Sequence, residues 1–174
     1  MDQFINVEIK ARCEDSQKVR NILRGKYAEF KGIDNQIDTY FKSNNGRLKL
    51  REGNIENYLI FYERENDAGP QQSKVMLFKT EPKSLLKQML EKAIGILTIV
   101  NKKREIYFID NVKFHIDSVE GLGTFVEIEA RDTEGTLGEA KLREQCENYM
   151  TLLGIRKEDL LDSSYSDLLY KFIG

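Results

Sequence analysis

Zinc and disulfide chemistry both lack raw material in this chain. It has one histidine, His115, and two cysteines, Cys13 and Cys146, which lie far apart in the sequence. Neither cysteine has a partner at metal-ligand or redox spacing, so both read as free thiols and a Cys/His zinc site is excluded. Only two prolines occur in 174 residues, and no linker, repeat or low-complexity tract divides the chain. No apolar run approaches the ~18 residues of a membrane span. Met1-Asp2-Gln3-Phe4 leads straight into a strand-like run without the basic and apolar regions of a signal peptide. A soluble cytoplasmic protein is the expectation. An excess of positive charge is also missing. A net charge of −2 and a pI of about 5.6 argue against a general binder of nucleic acid or anionic membrane.

What is present suits one folded unit. Apolar residues make up 40% and charged residues 32%, and a chain of this length buries about two-thirds of its unfolded surface. The expectation is a single domain over residues 1–174. Asn6 to Cys13 alternates as a strand, and Ser16 to Gly25 has helical spacing through Val19, Ile22 and Leu23. Gln36 to Lys42 and Arg47 to Glu52 flank an Asn-Gly turn and predict a hairpin. Asn57 to Glu65 and Lys74 to Thr80 flank Asn66-Asp67-Ala68-Gly69-Pro70 and predict a second. Leu85, Leu86, Met89, Leu90 and Ala93 form one helical stripe, read as facing a core. Three further strands follow, over Thr98–Phe108, Val112–Val119 and Thr124–Arg131. Helices over Leu137–Leu153 and around Asp167–Phe172 finish the chain. About eight strands and a few helices make an α+β domain.

Residues two apart on a strand share a face, and that rule sorts the charges. Arg47, Lys49 and Arg51 form one basic stripe backed by Leu48 and Leu50; Lys102 and Arg104 form another. Glu127 and Glu129 form an acidic stripe, His115 and Asp117 share a face, and so do Glu8 and Lys10. Strand by strand, each stripe is equally well the solvated face of a sheet. Together, rows of like charge repel unless a counter-charge lies between them. A closed antiparallel barrel of eight strands resolves this, with charge inside around a small ligand and helices covering the apolar outside. A triphosphate suits converging Lys and Arg donors. Mg²⁺ or Mn²⁺ suits Glu8, Glu127, Glu129 and Asp117, because such ions take one or two carboxylates plus phosphate oxygens.

These stripes resemble the CYTH family, the triphosphate tunnel metalloenzymes, which includes class IV adenylyl cyclases, thiamine triphosphatases and inorganic triphosphatases. The resemblance is carried by Val7-Glu8-Ile9-Lys10, Arg47-Leu48-Lys49-Leu50-Arg51, Lys102-Lys103-Arg104, His115-Ile116-Asp117, Gly121-Leu122-Gly123, Glu127-Ile128-Glu129 and Ser164-Tyr165-Ser166. Tyr40-Phe41, Asn45-Gly46-Arg47 and Gly121-Leu122-Gly123-Thr124-Phe125 look most like the class IV adenylyl cyclase-like branch. The resemblance implies a tunnel of eight antiparallel strands. It implies that Lys10, Lys49, Arg51, Lys102 and Arg104 hold phosphates, with Arg64 as a further cation, and that Glu8, Glu127 and Glu129, with Asp117, hold metal; Arg47, in phase with Lys49, sits either at the tunnel mouth as one more phosphate contact or in a solvated hairpin. Asn6 stands where the family signature Glu-x-Glu-x-Lys has its first carboxylate, which puts two-metal chemistry in doubt.

Four positions stay open on the residues alone. Arg64 follows Tyr58, Ile60 and Tyr62 in phase, on a mostly apolar face; Lys79 sits on a strand of unfixed register. His115 is either structural or a proton-transfer group, and Tyr165 either packs or covers substrate. The implied reactions are cyclisation of ATP to cyclic AMP and pyrophosphate, or hydrolysis of inorganic tripolyphosphate, thiamine triphosphate or a nucleoside triphosphate. A non-catalytic triphosphate sensor and a plain interaction domain are the rivals from other classes. A homodimer is compatible with all of these, and the sequence does not fix the oligomeric state.

Overall fold

The structure, a computed structural model, describes residues 3–64 and 69–173. Its eight strands are β1 (Gln3–Arg12), β2 (Glu29–Phe41), β3 (Arg47–Glu52), β4 (Asn57–Arg64), β5 (Gln71–Lys79), β6 (Ile96–Ile109), β7 (Val112–Val119) and β8 (Gly123–Asp132). All neighbours pair antiparallel, and the sheet closes on itself in the order β1-β5-β4-β3-β2-β6-β7-β8. Four helices lie outside: α1 (Ser16–Gly25), α2 (Leu86–Ile94), α3 (Glu139–Leu153) and α4 (Tyr165–Ile173).

Local chemistry accounts for the joints. The Asp15 carboxylate accepts from the Lys18 backbone N–H at 2.9 Å and caps α1. The β2–β3 hairpin turns at Gly46, where φ is +58° and an added Cβ would lie 2.6 Å from the Phe61 ring, so geometry and space both demand glycine. Three residues of the second predicted turn, Asn66 to Ala68, lie outside the described residues. The polar starts of β2 and β5 hide strands that begin earlier than the alternation of apolar residues indicates.

The main core lies outside the barrel. Val7, Ile9, Val112, Phe114, Ile116, Val126 and Ile128 point outward and pack on Val19, Leu23, Leu142, Cys146 and Leu153 of α1 and α3. Cys13 and Cys146 are free thiols; burial pushes both up, and Cys146 Sγ donates to the Val7 carbonyl. On the opposite side the expected core stripe of α2 fails to form. None of its residues is buried, and Leu85 and Met89 stay about two-thirds exposed. The strands on that side keep Met76, Phe78 and Ile99 in the open as well. The helix is tied down by Lys87 Nζ donating to Glu52 at 3.2 Å instead of closing on them.

Candidate functional site

Closing the sheet turns alternate residues of every strand inward, around a cavity of about 140 Å³. Eight cationic side chains line it against four carboxylates, although the whole chain is net negative. The basic and acidic stripes, separate in sequence, are interleaved in space by strand pairing. Asp38, missed by the stripe analysis, explains how three cations tolerate one another. Its buried carboxylate accepts from Lys49 Nζ at 2.8 Å, Arg51 Nε and Nη2 at 2.9 Å, and Lys102 Nζ at 2.7 Å. Burial alone would raise its pKa, yet Arg51, Lys102 and Lys49 hold it well below the carboxylate range. Burial and neighbouring Arg104 push the Lys102 ammonium well below the usual lysine value, against the pull of Asp38.

A second group forms across β6, β7 and β8, where Arg104 pairs in register with Asp117, and His115 with Glu127. Arg104 donates to Asp117 at 2.7 and 2.6 Å and to Glu127 at 2.9 Å. Asp117 also accepts from the Tyr165 hydroxyl at 2.8 Å and does not line the cavity. Its oxygens are taken up by Arg104 and Tyr165 and orient the guanidinium. Tyr165 is likewise more than packing: its ring lies 4.0 Å from Lys10 Nζ at the cavity wall. His115 Nδ1 lies 2.9 Å from Glu127 Oε2, while Nε2 is buried without a partner among the described residues. Burial and Arg104 push His115 down to about 4. At neutral pH the ring is therefore uncharged, with Nδ1–H donating to Glu127 and Nε2 left as an acceptor.

Three further lining residues went unread in the sequence: Glu56, Lys113 and Arg131. Glu56 accepts from Lys113 and, at 3.0 Å, from Arg51 Nη1. Burial pushes Lys113 down to about 8 although Glu56 opposes it. Glu56 sits in a loop, where no period-two rule applies, and a buried carboxylate aims it. Asp34 accepts from the Ile55 and Glu56 backbone N–H groups, both at 2.9 Å. The approach is so close that a Cβ on Gly53 would lie 2.5 Å from Asp34 Oδ1.

Among the described residues no three Asp, Glu, His or Cys side chains converge at metal distance. A smaller mixed set does fit a hard divalent ion. Glu8 and Glu129 are directly opposed cross-strand neighbours, each also held by an arginine, Glu8 by Arg64 at 2.9 Å and Glu129 by Arg131 at 3.0 Å. Glu129 also accepts from Asn6 Nδ2 at 2.8 Å. That leaves Asn6 Oδ1 buried with no partner among the described residues, an oxygen suited to Mg²⁺ or Mn²⁺. Burial would raise Glu129, but Arg131 and Lys113 bring it to about 2, so it is ionised at working pH. Glu127 is occupied by Lys10 at 3.1 Å, by Arg104 and by His115.

Lys10, Lys49, Arg51, Arg64, Lys102 and Arg104 all line the cavity; Arg47 does not. Its guanidinium donates to Asp167 at 2.7 and 2.8 Å and to Ser164 at 3.2 Å, clamping β3 to the start of α4. Lys79 ends its strand in solvent. Arg47→Ala is therefore expected to cost roughly 1 kcal/mol, about 2–4 °C in a thermal melt.

The inside is also less uniformly charged than the stripes imply. Phe4, Ile60 and Val75 cluster there with Tyr58, Tyr62 and Leu77, because the in-phase apolar residues of β4 and β5 point inward.

Known proteins agree with this architecture. The CYTH domain model matches residues 5–165. A Methanocaldococcus jannaschii protein, provisionally named an adenylate cyclase, is 30% identical over 95% of this chain and 98% of its own. A Pyrococcus horikoshii structure superposes with a TM-score of 0.74 at 22% identity, covering 94% of this chain and 98% of its own. A Hippeastrum protein, provisionally named an adenylyl cyclase and described as having a dominant triphosphatase activity, superposes at 0.61 with 14% identity, over 97% and 95% of the two chains. A closed eight-stranded barrel with helices outside and a charged tunnel within, matched from residue 5 to residue 165, makes this chain a member of the CYTH domain family.

Proposed function

We propose that this chain is a metal-dependent enzyme that binds a triphosphate compound inside its barrel and acts on the phosphate chain, with ATP cyclisation to cyclic AMP and pyrophosphate as the reaction. The observation that carries the reading is the surplus of cationic side chains in the tunnel, eight against six carboxylates once Asp38 and Asp117, which bond the same cations, are counted, which suits an anionic ligand. Lys49, Arg51 and Lys102, gathered on Asp38, form one phosphate cradle; Arg104, whose Nε and Nη2 are spent on Asp117 and Glu127, keeps Nη1 for another phosphate. Mg²⁺ or Mn²⁺, held by Glu8, Glu129 and Asn6, would supply charge neutralisation on the phosphate oxygens.

In the cyclase, the ribose 3′-oxygen attacks the α-phosphorus and pyrophosphate leaves. His115 Nε2, an unpartnered acceptor among the described residues, would take the 3′-hydroxyl proton. The cradle stabilises charge as it moves onto the leaving group. Hydrolysis at the γ-phosphorus is the second reading, supported by the activity described for the Hippeastrum protein and open to the same cradle. The test is incubation with Mg²⁺ or Mn²⁺ and ATP, tripolyphosphate or thiamine triphosphate, with products resolved and Glu127→Ala/Glu129→Ala protein as control. Cyclic AMP with pyrophosphate is the expected outcome. Orthophosphate alone would replace cyclisation with hydrolysis. Metal-dependent binding with no turnover of any substrate would reduce the protein to a sensor.

A further inference from the structure

Two acids meet the tunnel cations in different ways. Asp38 holds Lys49, Arg51 and Lys102 from behind: it is wholly buried and does not line the cavity, so the three cations keep their outer faces for a ligand. Glu56 does line the cavity. It accepts from Lys113 and, at 3.0 Å, from Arg51 Nη1, and so presents negative charge to any anion that approaches those two cations. One guanidinium joins the two acids, with Nε and Nη2 on Asp38 and Nη1 on Glu56. The carboxylate therefore begins where the cradle ends.

Behind Glu56 the protein is solid. Gln36 Nε2 donates to Glu56 at 3.2 Å and to Asp34 at 2.7 Å. Asp34 and Gln36 are at most 1% exposed, and neither lines the cavity. Asp34 spends its oxygens on that amide and on the Ile55 and Glu56 backbone N–H groups. Burying a carboxylate is costly, and what this one secures is a single loop position, that of Glu56.

We infer that Glu56 ends the phosphate site and sets its length: the tunnel engages three phosphates of a linear chain, a fourth gains nothing, and Asp34 positions the stop. The inference rests on the triphosphate reading above and deepens it. Converging cations alone favour longer chains, because each added phosphate brings another charge. Discrimination against them needs a repulsive element in the path, and Glu56 supplies it at the end of the cradle.

Calorimetry in EDTA, with linear tripolyphosphate and tetrapolyphosphate as ligands, reads the length limit as a ratio of affinities. Wild-type protein is expected to bind tetrapolyphosphate no more than about threefold tighter than tripolyphosphate. Glu56→Gln keeps an acceptor for Lys113 and Arg51 but removes the charge, and should bind the longer chain about tenfold tighter than the shorter. Asp34→Asn loosens the loop without touching ligand and should move the ratio the same way by about threefold, which a role confined to the stability of the fold would not do. Melts of both variants verify folding, and the wild-type ratio decides even where a variant fails to fold. A wild-type preference for tetrapolyphosphate above about threefold overturns the inference alone, as does an unchanged ratio in folded Glu56→Gln. No binding of either ligand by wild type overturns the triphosphate reading with it.

Discussion

Glu8→Gln combined with Glu129→Gln is expected to abolish metal-dependent turnover, lowering kcat/KM by on the order of a thousandfold, while metal-free tripolyphosphate binding stays the same or tightens. The two effects part because the carboxylates do opposite things in the two states. With metal present they anchor it, opposed across β1 and β8 beside the unpartnered oxygen of Asn6. Without metal they add negative charge to a tunnel built to hold a polyanion, and glutamine removes two such charges at nearly constant volume. Arg64 and Arg131, which donate to these carboxylates, keep neutral acceptors and gain freedom to reach phosphate. Steady-state kinetics across a metal titration, with calorimetry in EDTA, checks both halves. A variant that loses both affinities together would show that Glu8 and Glu129 serve the fold of the tunnel and not its metal.

Much of this was legible in the sequence because the rule that reveals it is local. Period-two alternation placed Lys10, Lys49, Arg51, Lys102, Arg104, Glu127 and Glu129 on inward faces, since a strand gives each residue two possible sides. It failed where the site depends on pairing between strands. Asp38 is a single acid in a β2 stretch of mixed polarity, and only its register opposite Arg51 makes it the hub of three cations. Glu56 lies between strands and is aimed by Asp34 from 22 residues away. Arg47 shares the phase of Lys49 and Arg51, but α4 lies close enough to capture it, and no pattern in β3 encodes the position of a helix more than a hundred residues later. The α2 stripe failed for the opposite reason. Helical periodicity says which residues share a face and nothing about whether a partner covers that face.

Lys102→Met is expected to stabilise the ligand-free protein while weakening tripolyphosphate binding about 10- to 100-fold. Lys102 is buried beside Arg104, Arg51 and Lys49, and its ammonium is held well below the ordinary lysine value by burial and by Arg104. The fold therefore disfavours the charge it carries. Removing one of three cations from Asp38 leaves that carboxylate with Lys49 and a two-pronged Arg51, so no buried anion is abandoned. That abandonment is the usual reason breaking a buried ion pair destabilises. Methionine fills most of the vacated volume. A gain of roughly 1–2 kcal/mol, read as a rise of about 2–8 °C in the ligand-free melt, is the expected result. Asp38→Asn supplies the contrast: it leaves three cations facing one another without their counter-charge and should lower the melt by a similar or larger amount. Tunnel cations that cost stability when empty and are neutralised when filled also predict ligand-dependent melting. Saturating tripolyphosphate should raise the wild-type melt by more than it raises that of Lys102→Met. A destabilised Lys102→Met with unchanged affinity would mean that the lysine supports the barrel and leaves the phosphate to others.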